Sequence, residues 1–263
     1  MEYVTIPKTD LKISKFIFGT ASLHHVAKPI RQKLLDAVID CGFSHFDTAP
    51  YYSYGTAERS LYDILKKNKD ASVTTKVGLF SPGGENQSET QMYIRKIVGK
   101  FIPKLSKAHI DFSIQSATKS LDNSRRRLGR DCIDIFLMHE PMEDLFQTDE
   151  WCAWFQSQVK LGNIRNYGIA GEKNNLNPIL NSSEELANII QTRDSIIDKN
   201  ANFILDSGRD LQITYGYFAN LISNNRNIIT KNLLDDAVKR NSSGAIIMST
   251  TKLSHLSYFK SKL

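Results

Sequence analysis

Cysteine is scarce in this chain: Cys41, Cys132 and Cys152 are the three thiols among 263 residues. They are too few and too widely spaced for a disulfide framework or a metal cluster, so no metal is expected, and they read as reduced core residues. Apolar runs of membrane-spanning length are missing as well, which excludes a transmembrane helix and a membrane partner. The opening Met1 to Lys8 alternates like a strand and lacks the basic-then-apolar design of a signal peptide. These features lead to a cytoplasmic assignment, with the terminal Ser261-Lys262-Leu263 taken as a coincidental match to the peroxisomal address. There is no Gly-x-Gly-x-x-Gly turn from strand to helix; Ser81-Pro82-Gly83-Gly84 does not fit one, which fails a Rossmann reading. No internal repeat and no domain boundary is visible, so residues 1–263 read as one barrel domain.

Charge of either sign is modest. Lysine and arginine number 34 against 28 aspartates and glutamates, a formal net charge of +6. The basic residues Lys66, Lys67 and Lys69 and the run Arg125-Arg126-Arg127 fall on different helices with no aromatic interleaving, which argues against a nucleic-acid partner. A solvated surface accounts for the excess, and attraction of a phosphate-rich cofactor is the sharper alternative.

What is present is a regular alternation. Eight short apolar runs, at residues 16–20, 43–47, 72–77, 133–139, 166–170, 188–191, 211–215 and 245–249, are separated by helical segments. Their continuous hydrophobicity suits strands covered on both faces. Pro29 opens a helix with a stripe of Ile30, Leu34, Ala37, Val38 and Cys41, and Gly42 follows it. A later helix has Ser113 as its cap and Gly129 beyond its end, and another turns Trp151, Trp154, Phe155 and Val159 inward. Eight β/α units in one domain predict a (β/α)8 TIM barrel. An N-terminal β-hairpin around Lys8-Thr9-Asp10 is placed to plug its bottom, and a long insert from Phe80 to Asp111, with a short helix over 92–98, follows the third strand.

Chemistry collects at the strand ends. Asp47, Lys76 and His139 end the second, third and fourth strands, and barrel geometry makes them neighbours. Tyr51, Tyr52 and Tyr54 in the loop after Asp47 compete to supply a phenol. A phenol is a weak acid at neutral pH unless its anion is stabilised, and an ammonium held by a carboxylate does that. Such a set suits protonation of a carbonyl oxygen as hydride reaches its carbon. Each residue also has an ordinary reading: Asp47 as a cap or ion pair, His139 as a satisfied strand end, Lys76 as a solvated lysine.

The run Gly42-Phe43-Ser44-His45-Phe46-Asp47-Thr48-Ala49, with Tyr52, Tyr54-Gly55 and Glu58 beyond it, resembles the first motif of the aldo-keto reductase family. Thr75-Lys76-Val77-Gly78 and Ile133 to His139 resemble its second and third motifs, and the likeness is collinear to about Leu256. The long insert and Asp47-Thr48-Ala49-Pro50-Tyr51-Tyr52 are most similar to its sugar and pyridoxal dehydrogenase branch. The resemblance implies an NAD(P)-dependent oxidoreductase in which Tyr52 gives or takes the proton, Lys76 lowers its pKa, Asp47 pairs with Lys76 and His139 orients the carbonyl. It places Gln191 against the nicotinamide carboxamide, Tyr215 on the ring and Gly216 and Phe218 around the pyrophosphate. Ser249, Thr250, Thr251 and Lys252 fall about the adenosine ribose and its phosphate, with Thr20 and Asp47 also counted among the cofactor-binding residues. NADP(H) is the favoured cofactor and NAD(H) the other; the implied substrate is a small carbonyl compound or sugar.

Three departures from the family pattern touch the cofactor side. Ala170-Gly171 stands where the family usually has Ser-Asn, which helps hold the carboxamide. His255 stands where NADPH-preferring members often have arginine, and Leu253 replaces a common proline. The chain stops at Leu263 without the usual C-terminal extension, so a more open substrate cleft is expected on that side, and Tyr217 to Asn227 is short compared with members that clamp the cofactor firmly. These changes motivate a second function from another class, a cofactor-binding regulatory or interaction subunit with little turnover. A Schiff-base aldolase built on Lys76 is a third.

Overall fold

The computed structural model describes residues 1–85, 87, 90–91, 108–218 and 231–260. The helix expected over 92–98, most of the segment 217–227 and the terminal tripeptide lie outside the described residues.

Two short antiparallel strands, β1 (Tyr3–Thr5) and β2 (Lys12–Ser14), pair Val4 with Ile13 and form the expected hairpin. The barrel begins with β3 (Phe16–Gly19), β4 (His45–Asp47) and β5 (Ser72–Val77). A small ribbon, β6 (Leu79–Phe80) against β7 (His109–Ile110), then ties the two ends of the long insert together, a pairing the sequence reading did not anticipate. The barrel continues with β8 (Ile133–His139), β9 (Ile164–Gly171), β10 (Ile189–Arg193), β11 (Ile213–Tyr215) and β12 (Ala245–Met248). All eight barrel strands are parallel, and β12 pairs with β3 to close the ring. This is the predicted (β/α)8 TIM barrel.

Strand alternation divides the core in two. Ile17, Ile135, Leu137, Ile213 and Ile247 cluster with Ile6, Leu11 and Ile13 of the hairpin, so the hairpin closes one end of the barrel interior. Phe16, Phe18, Phe136 and Met138, their immediate neighbours in sequence, belong instead to the layer shared with the helices. Those helices include α1 (Lys28–Asp40), α2 (Thr56–Lys67), α3 (Ile114–Leu128), α4 (Thr148–Lys160) and α5 (Lys173–Ser182), followed by α6 (Asn202–Asp206), α7 (Lys231–Arg240) and α8 (Ser257–Lys260).

Local signals explain the boundaries of α3. The Ser113 side chain accepts from the Ser116 N–H, and Gly129 ends the helix at φ 64, a conformation costly for other residues. Two stripe assignments change. Ile30 is 51% exposed and Arg31 turns inward in its place, donating to Val26 O and Ser60 Oγ. Val159 is 38% exposed, whereas Trp151, Trp154 and Phe155 pack against one another as expected. In both cases the residue lies in the terminal turn of its helix.

Candidate active site

The site forms at the carboxyl ends of the strands. Asp47 ends β4, and the chain then turns sharply, with the Tyr52 N–H donating to Ala49 O and the Ala57 N–H to Tyr52 O. Ser53 and Tyr54 both adopt left-handed backbone angles there. This tight loop returns the Tyr52 ring over the barrel mouth, leaving Tyr51 37% exposed.

Lys76 is the hub. Its Nζ donates to Asp47 Oδ1 at 2.8 Å, Asp47 Oδ2 at 2.9 Å and Thr48 O at 2.9 Å, and it lies 3.4 Å from Tyr52 Oη. Both partners of the ion pair are buried. Burial pushes the Asp47 carboxyl up and the Lys76 ammonium down, and their mutual attraction opposes both shifts. His139, at the end of β8, meets the Tyr52 ring edge-on with centroids 5.8 Å apart. Burial, and then the charge of Lys76, push its imidazole down to about 3, so it is neutral at neutral pH.

The Tyr52 phenol shares this setting. It is held well above its ordinary range, first by burial and then by the negative charges of Asp47 and Glu140. The Lys76 ammonium, 3.4 Å from Tyr52 Oη, donates at the same time to both Asp47 oxygens. Tyr52 is therefore a stable neutral phenol in the free protein.

These four residues share the wall of an open cavity of about 310 Å³ with Gln191, Tyr215, Gly216, Phe218 and Ser249. Thr20, Thr250, Thr251 and Lys252 are outside that wall. Thr20 lies beneath it, where its N–H and hydroxyl both donate to Asp47 O at 2.9 and 3.0 Å. Thr250 is buried in the turn after β12, accepts from the Lys252 N–H and contacts His255 Nδ1 at 3.0 Å; Thr251 and Lys252 are exposed beside it.

The family model of the Aldo/keto reductase family matches residues 15–176. This chain belongs to the aldo/keto reductase family. It is 26% identical over 153 residues to pyridoxal 4-dehydrogenase of Microbacterium luteolum, covering 51% of this chain and 41% of that protein. Against D-threo-aldose 1-dehydrogenase of a Pseudomonas species the identity is 32% over 138 residues, covering 50% and 41%. The chain thus spans less than half the length of these two curated relatives. An aldo-keto reductase of Bacillus halodurans, solved in its holo form, matches in fold with a TM-score of 0.76 at 22% identity, over 99% of this chain and 90% of that one.

One wall of the cavity carries a strong sign of fitness for a nicotinamide group. Gln191 is 3% exposed, its amide bonds Asp47, and its Oε1 is buried with no hydrogen-bond partner. An orphaned acceptor in a pocket wall fits a primary-amide donor. His139 Nδ1 is likewise buried and unpartnered. Glu140, which sequence reasoning passed over, also lines the cavity, as do Gly19, Ala21, Ile247 and Met248. No local pattern marks Glu140, because it reaches Gly171 only through the β8–β9 register that sets His139 opposite Ala170.

Proposed function

We propose that this chain is an NAD(P)-dependent oxidoreductase that interconverts a carbonyl and an alcohol on a small polar substrate, an aldehyde, ketone or sugar. The observation that carries the reading is a half-buried neutral phenol, Tyr52, 3.4 Å from the Lys76 ammonium in a cavity whose wall also holds an orphaned Gln191 acceptor. When bound, the nicotinamide supplies the hydride equivalent that the side chains here cannot.

The chain's own residues handle binding and the proton. Tyr52 stays protonated across neutral pH and gives its proton to a carbonyl oxygen as negative charge develops there. Lys76, 3.4 Å from Tyr52 Oη, then stabilises the nascent phenolate, while Asp47 keeps the ammonium in place. A neutral His139 orients the carbonyl by hydrogen bonding without competing as an acid. Gln191 and Tyr215 would hold the nicotinamide end, Gly216 and Phe218 the pyrophosphate, and Ser249, Thr250, Thr251 and Lys252 the ribose-phosphate end. The exposed Lys252 offers a cation to a 2′-phosphate, which favours NADP(H) over NAD(H). The substrates named for the two dehydrogenases, pyridoxal and an aldose, support a hydroxyl-bearing substrate.

The test follows absorbance of the reduced cofactor with a panel of aldehydes and sugars. Turnover is expected, and Tyr52→Phe should lower it by about 10²- to 10⁴-fold while cofactor affinity stays near wild type. The second reading, a cofactor-binding regulatory subunit, is motivated by Ala170-Gly171, which offer no polar side chain to a ligand. Tight cofactor binding with no turnover of any carbonyl, and a Tyr52→Phe variant indistinguishable from the parent, would establish it instead.

A further inference from the structure

A side chain is missing at Gly171 and another has moved into its place. A Cβ built on Gly171 would lie 2.6 Å from Glu140 Oε2 and 3.1 Å from its carboxyl carbon. The Glu140 carboxylate therefore fills the volume that any larger residue at the end of β9 would need. It is firmly held there. The Glu140 backbone is left-handed at φ 52, and its N–H donates to Ala170 O at 2.7 Å. Oε2 accepts from the Glu172 N–H at 3.2 Å and from Asn175 Nδ2 at 3.0 Å, which fastens it to the start of α5. Non-glycine residues persist in that conformation only where their surroundings over-determine it.

The other oxygen has no such duty. Among the described residues Oε1 accepts no hydrogen bond and Glu140 forms no ion pair. The nearby cations are committed elsewhere, Lys76 to Asp47 and Arg193 to Glu172. Glu140 nonetheless lines the cavity, together with Gln191 and Tyr215. Its negative charge reaches the phenols of both Tyr52 and Tyr215, which it helps to raise. A half-buried carboxylate without a counter-ion thus shares one cavity wall with an orphaned amide oxygen, two acceptors and one net negative charge.

We infer that Glu140 is a cofactor-positioning residue of the nicotinamide end, supplying with Gln191 Oε1 the acceptors for the carboxamide NH₂ and a negative charge that favours the oxidised, cationic ring. The inference rests on the oxidoreductase reading above. It assigns to the residue just past β8 the polar contact that Gly171 cannot make, and it predicts a preference between redox forms that a neutral amide or hydroxyl there would not create. Reduced nicotinamide is uncharged, so it keeps the hydrogen bond and loses the ion attraction.

Calorimetric titration of the full chain with oxidised and with reduced cofactor, at pH 8 where a raised carboxyl is ionised, measures the ratio of the two dissociation constants. Glu140→Gln retains an acceptor for the Glu172 N–H and Asn175, so it removes charge with little change in packing. It should weaken the oxidised form by about tenfold relative to the reduced one, an effect that shrinks in high salt. Gly171→Ala provides an independent route: its methyl group displaces the carboxylate and should shift the ratio the same way, and it carries the test if Glu140→Gln does not fold. A folded variant of either kind with the wild-type ratio overturns the inference and leaves the oxidoreductase reading standing. Wild-type protein that binds neither form overturns both.

Discussion

At the scale of the residue, Lys76 sets the character of the site. Its ammonium is dry, faces four oxygens and is neutralised by a carboxylate that accepts from it twice. Breaking a buried pair from one side strands the other charge, at a cost of about 3–5 kcal/mol, whereas removing both charges costs far less. Lys76→Met should therefore destabilise the fold by about that much in urea denaturation. The double change Asp47→Leu with Lys76→Met should be less destabilised than Lys76→Met alone. Losses that simply add across the double-mutant cycle would show that the pair is not the unit described here. The identities of Asp47, Tyr52, Lys76 and His139 are legible as residue types at strand ends. The state of the Tyr52 proton is not. It depends on how much water the fold excludes and on the nearness of the Asp47 and Glu140 charges, and neither quantity is a property of the local sequence.

Elements add a second titratable feature beneath the site. His45, on β4, is buried and bridges to β5, with Nδ1 2.6 Å from Ser72 Oγ and Nε2 2.7 Å from Thr74 Oγ1. Burial and then the charge of Lys76 push its imidazole down to about 3, against 6.5 in the unfolded chain. The unfolded state thus takes up a proton between those values that the folded state refuses. Stability from this group is fully present above pH 6.5 and lost as pH falls toward 3, at about 1.4 kcal/mol per pH unit. His45→Gln should flatten the fall in stability between pH 6.5 and 4 by that slope, measured by denaturant titration at each pH. An unchanged slope would mean that His45 is charged in the fold. Helix boundaries at this scale were largely readable: Ser113 and Gly129 bracket α3, and Pro29 stands in the first turn of α1. Stripe membership near helix ends was not, as Ile30 and Val159 show, because periodicity marks a face but not where the barrel wall ends. The buried pair of Glu58 on α2 with Arg127 on α3, at 2.6 Å, also lay beyond sequence reasoning about spacing.

For the whole molecule, closure of the ring by β12 on β3 turns a row of strand ends into one cavity. A ligand that binds this assembled cavity and not the unfolded chain must stabilise the fold by mass action. Oxidised NADP at about 100 times its dissociation constant should add about 2.7 kcal/mol, roughly 5–10 °C in the midpoint of thermal unfolding for a chain of this size. A midpoint that does not move with either NADP or NAD, in oxidised or reduced form, would count against a cofactor site here. The same ring determines the fate of the altered segment Ala170-Gly171. Viewed along β9 it reads as a loss; across the β8–β9 register the loss meets Glu140.

The alternation of eight doubly buried strands with amphipathic helices was determined by the sequence alone, since burial pattern and turn chemistry are local properties. So was the order in which a carboxylate, a phenol, an amine and an imidazole arrive at the strand ends. The tertiary structure alone decided which groups touch and what charge they carry. The Tyr52 phenol rises because its surroundings are dry and acidic, and Glu140 stands where Gly171 leaves room. Both outcomes arise from desolvation and contact between segments far apart in the chain, and those come into being only when the barrel closes.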